Sequence, residues 1–268
     1  MIIDQAIPII AQNLKTQSIL LYGSYALGLQ DEYSDFDLLV IIKKIPSSTE
    51  RKRAYENIPH VQILEIDSQM SQQKNGWDNS WSPLNDKLQI NNHRLEIGYN
   101  TIGWVNSVIE NLINKHQITF KKFPFRPYTF LGLLEACKVL YDRENYIGKI
   151  QSRIRPIPKP LKNKIIQEFL PILLEANEEL KDYAKRNIGI LSYQFHLFRG
   201  IDALIQILLI QNHVYDSAAK RIEPLLFKLK KQPPNLRKFI LEILPRFYEK
   251  QVEVSKFFEE AIQYIKAL

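Results

Sequence analysis

The chain is poor in cysteine. Its 268 residues contain one, Cys137, which excludes an internal disulfide and any zinc centre built on several thiolates, so nothing calls for an oxidising compartment. It also lacks a long apolar run: the longest uncharged apolar stretch, residues 203–212, falls far short of the ~20 residues that a membrane-spanning helix needs. The opening Met1-Ile2-Ile3-Asp4-Gln5 has no basic leader and carries an acid inside its short apolar segment, unlike a secretory signal. A cytoplasmic protein with no membrane association is expected. Two catalytic signatures are missing as well. No Gly-x-x-x-x-Gly-Lys phosphate loop occurs and no nucleophile motif surrounds a serine, which disfavours P-loop enzymes and Ser-His-Asp hydrolases.

What is present is ordinary globular material, 45% hydrophobic and 24% charged, long enough for two domains that each bury a core. The net charge of +7 is unevenly placed. Residues 1–150 hold 16 basic and 16 acidic side chains, and residues 151–268 hold 20 and 13. A basic second half beside a neutral first half fits an anionic substrate, and fits nucleic acid equally.

The informative stretch runs from Leu20-Leu21-Tyr22-Gly23-Ser24 to Ser34-Asp35-Phe36-Asp37-Leu38-Leu39-Val40-Ile41-Ile42. An apolar segment of strand character stops at Gly-Ser, and a second begins with two acids one residue apart. Alternation along a strand puts Asp35 and Asp37 on one face, with Phe36 on the other. Two carboxylates held together are unfavourable unless a proton or cation lies between them, and hard oxygen ligands on a strand suit Mg²⁺. Gly23 lets the backbone approach a ligand closely, and the amides of Gly23 and Ser24 with the Ser24 hydroxyl can donate to phosphate oxygens. Together these features point to a metal-bound nucleoside triphosphate. The unbroken Leu38–Ile42 run predicts a strand buried on both faces.

This stretch resembles the signature of the nucleotidyltransferase superfamily related to DNA polymerase β: Gly-Ser, about ten residues, then Asp-x-Asp between apolar residues. The chain looks most like the two-domain bacterial adenylyltransferases that modify lincosamide and aminoglycoside antibiotics. The resemblance implies an α+β protein, with a small mixed β-sheet nucleotidyltransferase domain (1–150), a C-terminal α-helical bundle domain (151–268) and the active site between them. It also implies a third carboxylate on a strand beside Asp-x-Asp. Glu96 and the pair Glu65/Asp67 compete for that place; Glu96 is favoured because a capped helix, Thr101 to Ile109, follows its strand. Asp35, Asp37 and Glu96 then act as catalytic, metal-holding residues for Mg²⁺, with ATP or another nucleoside triphosphate bound by Gly23 and Ser24.

Elsewhere, residues 4–15 predict a helix. Ser47 to Arg53 predict a capped, solvated helix. Residues 60–67 predict a strand and 68–86 a loop containing Trp77 and Trp81. Residues 87–90 and 94–99 predict a hairpin turning at Asn91-Asn92. Residues 128–140 read as one helix closed by Leu140-Tyr141-Asp142, with Cys137 as a small core residue. Three prolines in 156–160 mark a boundary. Beyond it, 161–187 predicts a helix bent at Pro171 and 190–211 a central buried helix interrupted by His196, Arg199 and Asp202; two amphipathic helices, 235–243 and 246–267, close the chain. Lys220 and Arg221 lie in a segment resembling one in the helical domain of related enzymes, and are candidates for contacting the triphosphate.

The expected reaction is transfer of a nucleoside monophosphate, AMP from ATP foremost, to a hydroxyl-bearing acceptor with release of pyrophosphate. A small molecule is the favoured acceptor, with protein or RNA open. The rival readings are a non-catalytic, antitoxin-like module on the same fold and an RNA-directed nucleotidyltransferase.

Overall fold

The computed structural model describes residues 2–68, 82–119, 126–186, 189–217, 220 and 222–268. The chain forms two compact units, the first built on Met1–Pro158 and the second on Lys159–Asp216 with Lys220–Leu268. They part at the proline-rich segment, where a residue before proline is held in extended geometry.

The first unit opens with α1 (Ala6–Asn13), whose Ala6, Ile7, Ile10 and Ala11 form a buried stripe at helical spacing. Then come β1 (Ser18–Tyr22), the short α2 (Gly23–Leu27), β2 (Phe36–Ile42), α3 (Ser48–Tyr55), β3 (Val61–Glu65), β4 (Leu84–Ile90) and β5 (His93–Thr101). α4 (Ile102–Ile109), α5 (Tyr128–Ala136), β6 (Lys138–Asp142) and α6 (Tyr146–Ile154) complete it. The six strands make one mixed sheet in the order β3-β4-β5-β2-β1-β6. β2 runs parallel to β5, and the other neighbours are antiparallel.

Lying between β1 and β5, β2 buries Leu38 to Ile41 to 1% exposure or less, which is why its run is apolar rather than alternating. α3 begins with a capping box: the Ser47 side chain accepts from the Glu50 backbone N–H while the Glu50 carboxylate accepts from the Ser47 backbone N–H. α4 is capped as expected, the Thr101 hydroxyl accepting from the Trp104 N–H at 3.1 Å. β4 and β5 pair from Ile90 and His93 outward, around Asn91 at φ 54°, a left-handed conformation that asparagine tolerates.

Three expectations in this unit need correction. Residues 138–142 form the strand β6, not a helical end, because Val139, Leu140 and Tyr141 suit a strand and β1 offers them an edge, sealed where the Ser18 hydroxyl donates to Asp142 at 2.7 Å. Cys137 is consequently a half-buried residue at the close of α5, its thiol pushed up to about 12 by burial. β4 begins at Leu84, earlier than predicted; Trp77 and Trp81 lie outside the described residues. Finally, α3 is not solvated throughout, since Arg51 is 1% exposed.

The second unit contains α7 (Lys159–Arg186), with Pro171 inside it, α8 (Ile190–Gln211), the short α9 (Glu223–Leu226) and α10 (Leu236–Lys238), and α11 (Gln251–Lys266). α7 packs on α8 and α11. A Cβ added at Gly200 would come within 2.4 Å of the Phe258 ring and 2.9 Å of Ala176 Cβ, so this glycine lets the helices close up. α8 is not buried along its whole length. Its later residues, Ala203 to Ile210, include the buried core, whereas Leu191, Phe195 and Phe198 are 78%, 58% and 56% exposed. Arg199 donates to both Glu175 carboxylate oxygens at 3.3 Å. Among the described residues no helix is long and apolar enough to cross a membrane.

Candidate active site

The candidate residues of the first unit gather at the end of the sheet where β2 begins. Asp37 stands opposite Tyr22 of β1 on one side and opposite Glu96 of β5 on the other. Glu96 stands in turn opposite Lys87 of β4, and Lys87 opposite Glu65 of β3. Directly opposed residues share a face, so Glu65, Lys87, Glu96, Asp37 and Tyr22 form one row across five strands. Neighbouring strands are about 4.8 Å apart, which brings Asp37 and Glu96 side by side.

The turn after β1 meets this row. Gly23 has φ 68°, and a Cβ built on it would fall 2.3 Å from Asp37 Oδ2. Only glycine leaves room for that carboxylate, and only glycine takes this backbone conformation without strain. Ser24 follows in the first turn of α2, where the leading N–H groups have no acceptor within the helix. Tyr25 stacks on Phe36 with ring centroids 4.0 Å apart, fixing α2 against the strand that carries Asp37. Asp35 lies immediately before β2, half-buried. It is presented by a closed turn in which Asp31 Oδ1 accepts from the Tyr33 N–H at 3.1 Å and the Ser34 hydroxyl at 2.8 Å.

The electrostatics follow from this crowding. Burial, then the charges of Asp37 and Glu96, push the Tyr22 phenol well above its ordinary value, so it stays protonated. The Asn85 side-chain amide donates to Glu96 Oε2 at 3.2 Å. The Lys87 ammonium, 2.9 Å from Glu65 Oε2, is held above its usual value by the Glu65 hydrogen bond and charge, with a smaller contribution from Glu96. Asp67 accepts from the Asn85 backbone N–H at 3.4 Å. Of the carboxylates that compete for the third place, Glu96 is the one opposite Asp37, while Glu65 is paired with Lys87.

Among the described residues no three His, Cys, Asp or Glu side chains form a ready-made metal cluster. Asp37 and Glu96 nevertheless fit a hard divalent cation: both are oxygen donors, adjacent across two strands, and their like charges disfavour closer approach by themselves. The cradle at Gly23 points to the same chemistry, because it holds one Asp37 oxygen beside a backbone able to approach a phosphate. Lys220 belongs to the second unit and is exposed, and Arg221 lies outside the described residues.

Three participants escaped the sequence reading. Tyr22 was absorbed into an apolar strand. Asn85 and Lys87 were recoverable, since a hairpin turning at Asn91-Asn92 pairs residue 87 with residue 96 and leaves residue 85 diagonal to it.

The family described as "Nucleotidyltransferase domain" matches residues 3–69. A relative from Methanocaldococcus jannaschii, provisionally named a protein adenylyltransferase, is 29% identical over 165 residues, which are 61% of this chain and 79% of the relative. A nucleotidyltransferase-like protein from Exiguobacterium sibiricum aligns with TM-score 0.41 and 12% identity, covering 97% of this chain and 74% of its own. The Gly-Ser turn and the two aspartates all lie within the residues that match the nucleotidyltransferase domain, so this part of the first unit is similar to the nucleotidyltransferase family.

Proposed function

We propose that the protein transfers AMP from ATP to a hydroxyl group, releasing pyrophosphate, with Mg²⁺ as the metal. The observation that carries this reading is the register of Asp37 against Glu96 beside the Gly23 turn. Asp35, Asp37 and Glu96 would hold the metal, which supplies positive charge against the phosphates. The remaining work falls to the chain itself. The Gly23 and Ser24 amides and the Ser24 hydroxyl bind the β and γ phosphates, keeping the leaving pyrophosphate in line. Tyr22, kept protonated, adds no negative charge to the row. Asn85 orients Glu96 by a hydrogen bond to one of its oxygens. Lys220 and Arg221 are assigned to the triphosphate. In the reaction the acceptor oxygen bonds to the α-phosphorus as the bond to the pyrophosphate oxygen breaks, and the hydroxyl proton leaves with solvent or a carboxylate.

The acceptor we favour is a protein hydroxyl, in keeping with the name of the archaeal relative. The test supplies ATP, GTP, CTP and UTP, each labelled on the α-phosphate, together with cell extract and Mg²⁺. Label from ATP should enter protein, pyrophosphate should be released, and both should vanish with Asp35→Asn. Label entering RNA or small molecules would overturn the acceptor; substantial transfer by Asp35→Asn would overturn the site.

A further inference from the structure

A cleft of about 1050 Å³ opens at the other end of the same sheet, where β2 finishes. Ile42 on its wall is five residue steps beyond Asp37, so it lies ~16 Å along the strand from the candidate active site at ~3.3 Å per residue. Its walls come from the end of α1, the segment joining β2 to α3, the face of α3 and the residue after β6, all within the first unit.

The charge of this cleft is one-sided. Among the described residues six cations line it, Lys15, Lys43, Lys44, Arg51, Arg53 and Arg143, against two acids, Glu50 and Asp67. Both acids already serve the fold: Glu50 closes the capping box with Ser47, and Asp67 accepts from the Asn85 N–H. Arg51 is likewise committed, to Asp86, the Pro46 carbonyl and the Asp67 carbonyl. Among the described residues Arg143 has one ion-pair approach, 3.7 Å to the exposed Glu144. Lys15, Lys43, Lys44 and Arg53 are exposed and, among the described residues, have no carboxylate at ion-pair distance.

Like charges on a convex surface are simply solvated, but in a concavity their fields add, and the space is favourable to an anion. The identity of that anion follows from the chemistry of the groups on the wall. Among the described residues the lining is cationic and polar rather than aromatic. What it offers is a set of cations with the hydroxyl of Ser48 among them, which suits phosphate oxygens.

We propose that this cleft is a second anion site that binds a short polyphosphate chain, free or carried by a nucleoside, at the end of the sheet remote from Asp37. The test uses the full chain in EDTA, where binding at the carboxylate site is disfavoured by its own charge, and titrates inorganic tripolyphosphate by calorimetry. Salt-sensitive binding is expected. Lys15→Glu with Lys43→Glu should weaken it at least ~10-fold, since each reversal replaces attraction with repulsion, and leave the thermal midpoint unchanged because both side chains are exposed and neither takes part in the capping box. Ser24→Ala should bind as wild type. ATP titrated in parallel distinguishes the sources: tighter binding than tripolyphosphate assigns a nucleoside polyphosphate, equal binding the bare chain. The proposal fails if tripolyphosphate does not bind, if the double variant binds as wild type, or if Ser24→Ala is the variant that loses binding.

Discussion

The two faces of the sheet treat their carboxylates in opposite ways. On the face toward α3, Asp86 is fully buried and answered from inside the protein. Its Oδ2 accepts from Arg51 Nε at 2.8 Å and from the Tyr55 hydroxyl at 2.7 Å, while Oδ1 accepts from the Asp67 N–H at 2.9 Å. Tyr55 hydrogen-bonds to Tyr99, whose ring lies 5.4 Å beneath the Arg51 guanidinium. Burial pushes the Asp86 carboxyl and both phenols upward, and these bonds keep the group compatible with the core. On the other face Asp37 and Glu96 are set next to each other, and Glu96 receives an amide rather than a guanidinium. An acid that the fold neutralises serves stability. Two acids that the fold places together raise its free energy and lower that of a bound cation.

This contrast makes each face separately breakable. The largest effect is expected from Asp37→Asn, which should cut turnover on the order of 10³-fold or more while leaving unfolding stability equal or raised, since one of two opposed charges is gone. A large loss of stability would place Asp37 with Asp86 as a structural acid. Arg51→Ala should do the reverse. It leaves Asp86 buried without its cation and is expected to cost about 3–5 kcal/mol in denaturant unfolding, with the transfer activity retained by whatever fraction stays folded.

Gly23→Ala joins the two effects at smaller size. Its left-handed backbone costs a side chain about 1–2 kcal/mol, and the new Cβ displaces the Asp37 carboxylate, so turnover should fall more than the stability loss explains. Smallest is Glu50→Gln. Hydrogen bonds from the Ser47 hydroxyl and backbone N–H, with lesser help from Lys44 and Arg53, hold the Glu50 carboxyl below its ordinary value of 4.5. A lowered folded-state value means that this contribution is fully present above the unfolded value and is lost as pH falls through the folded one. The variant should therefore melt slightly lower at neutral pH, with the difference closing on acidification in scanning calorimetry.

Much of the candidate site was legible because its signal is local. Gly23, Ser24, Asp35 and Asp37 lie in one short stretch, and period-2 alternation alone puts the acids on one face. The β4–β5 hairpin was legible for the same reason. Register between β2 and β5 was not, because it depends on a crossover connection, and Glu96 entered through the family resemblance rather than the residues. The β6 strand was missed since the apolar run 128–140 satisfies a helix and a strand alike, and the deciding partner, β1, lies more than a hundred residues earlier. Arg51 looked solvated because Asp86 is distant in sequence. The first half of α8 looked buried because apolar composition says nothing of whether neighbouring helices reach far enough to cover it.

The parallel seam between β2 and β5 has a consequence for synthesis. Antiparallel neighbours can be joined by a tight turn, but a parallel pair needs an excursion, and here α3, β3 and β4 are all spent before Glu96 can reach Asp37. On the proposed assignment, an emerging polypeptide that has displayed Asp35 and Asp37 still lacks its third carboxylate, and gains it only once the return strand has docked.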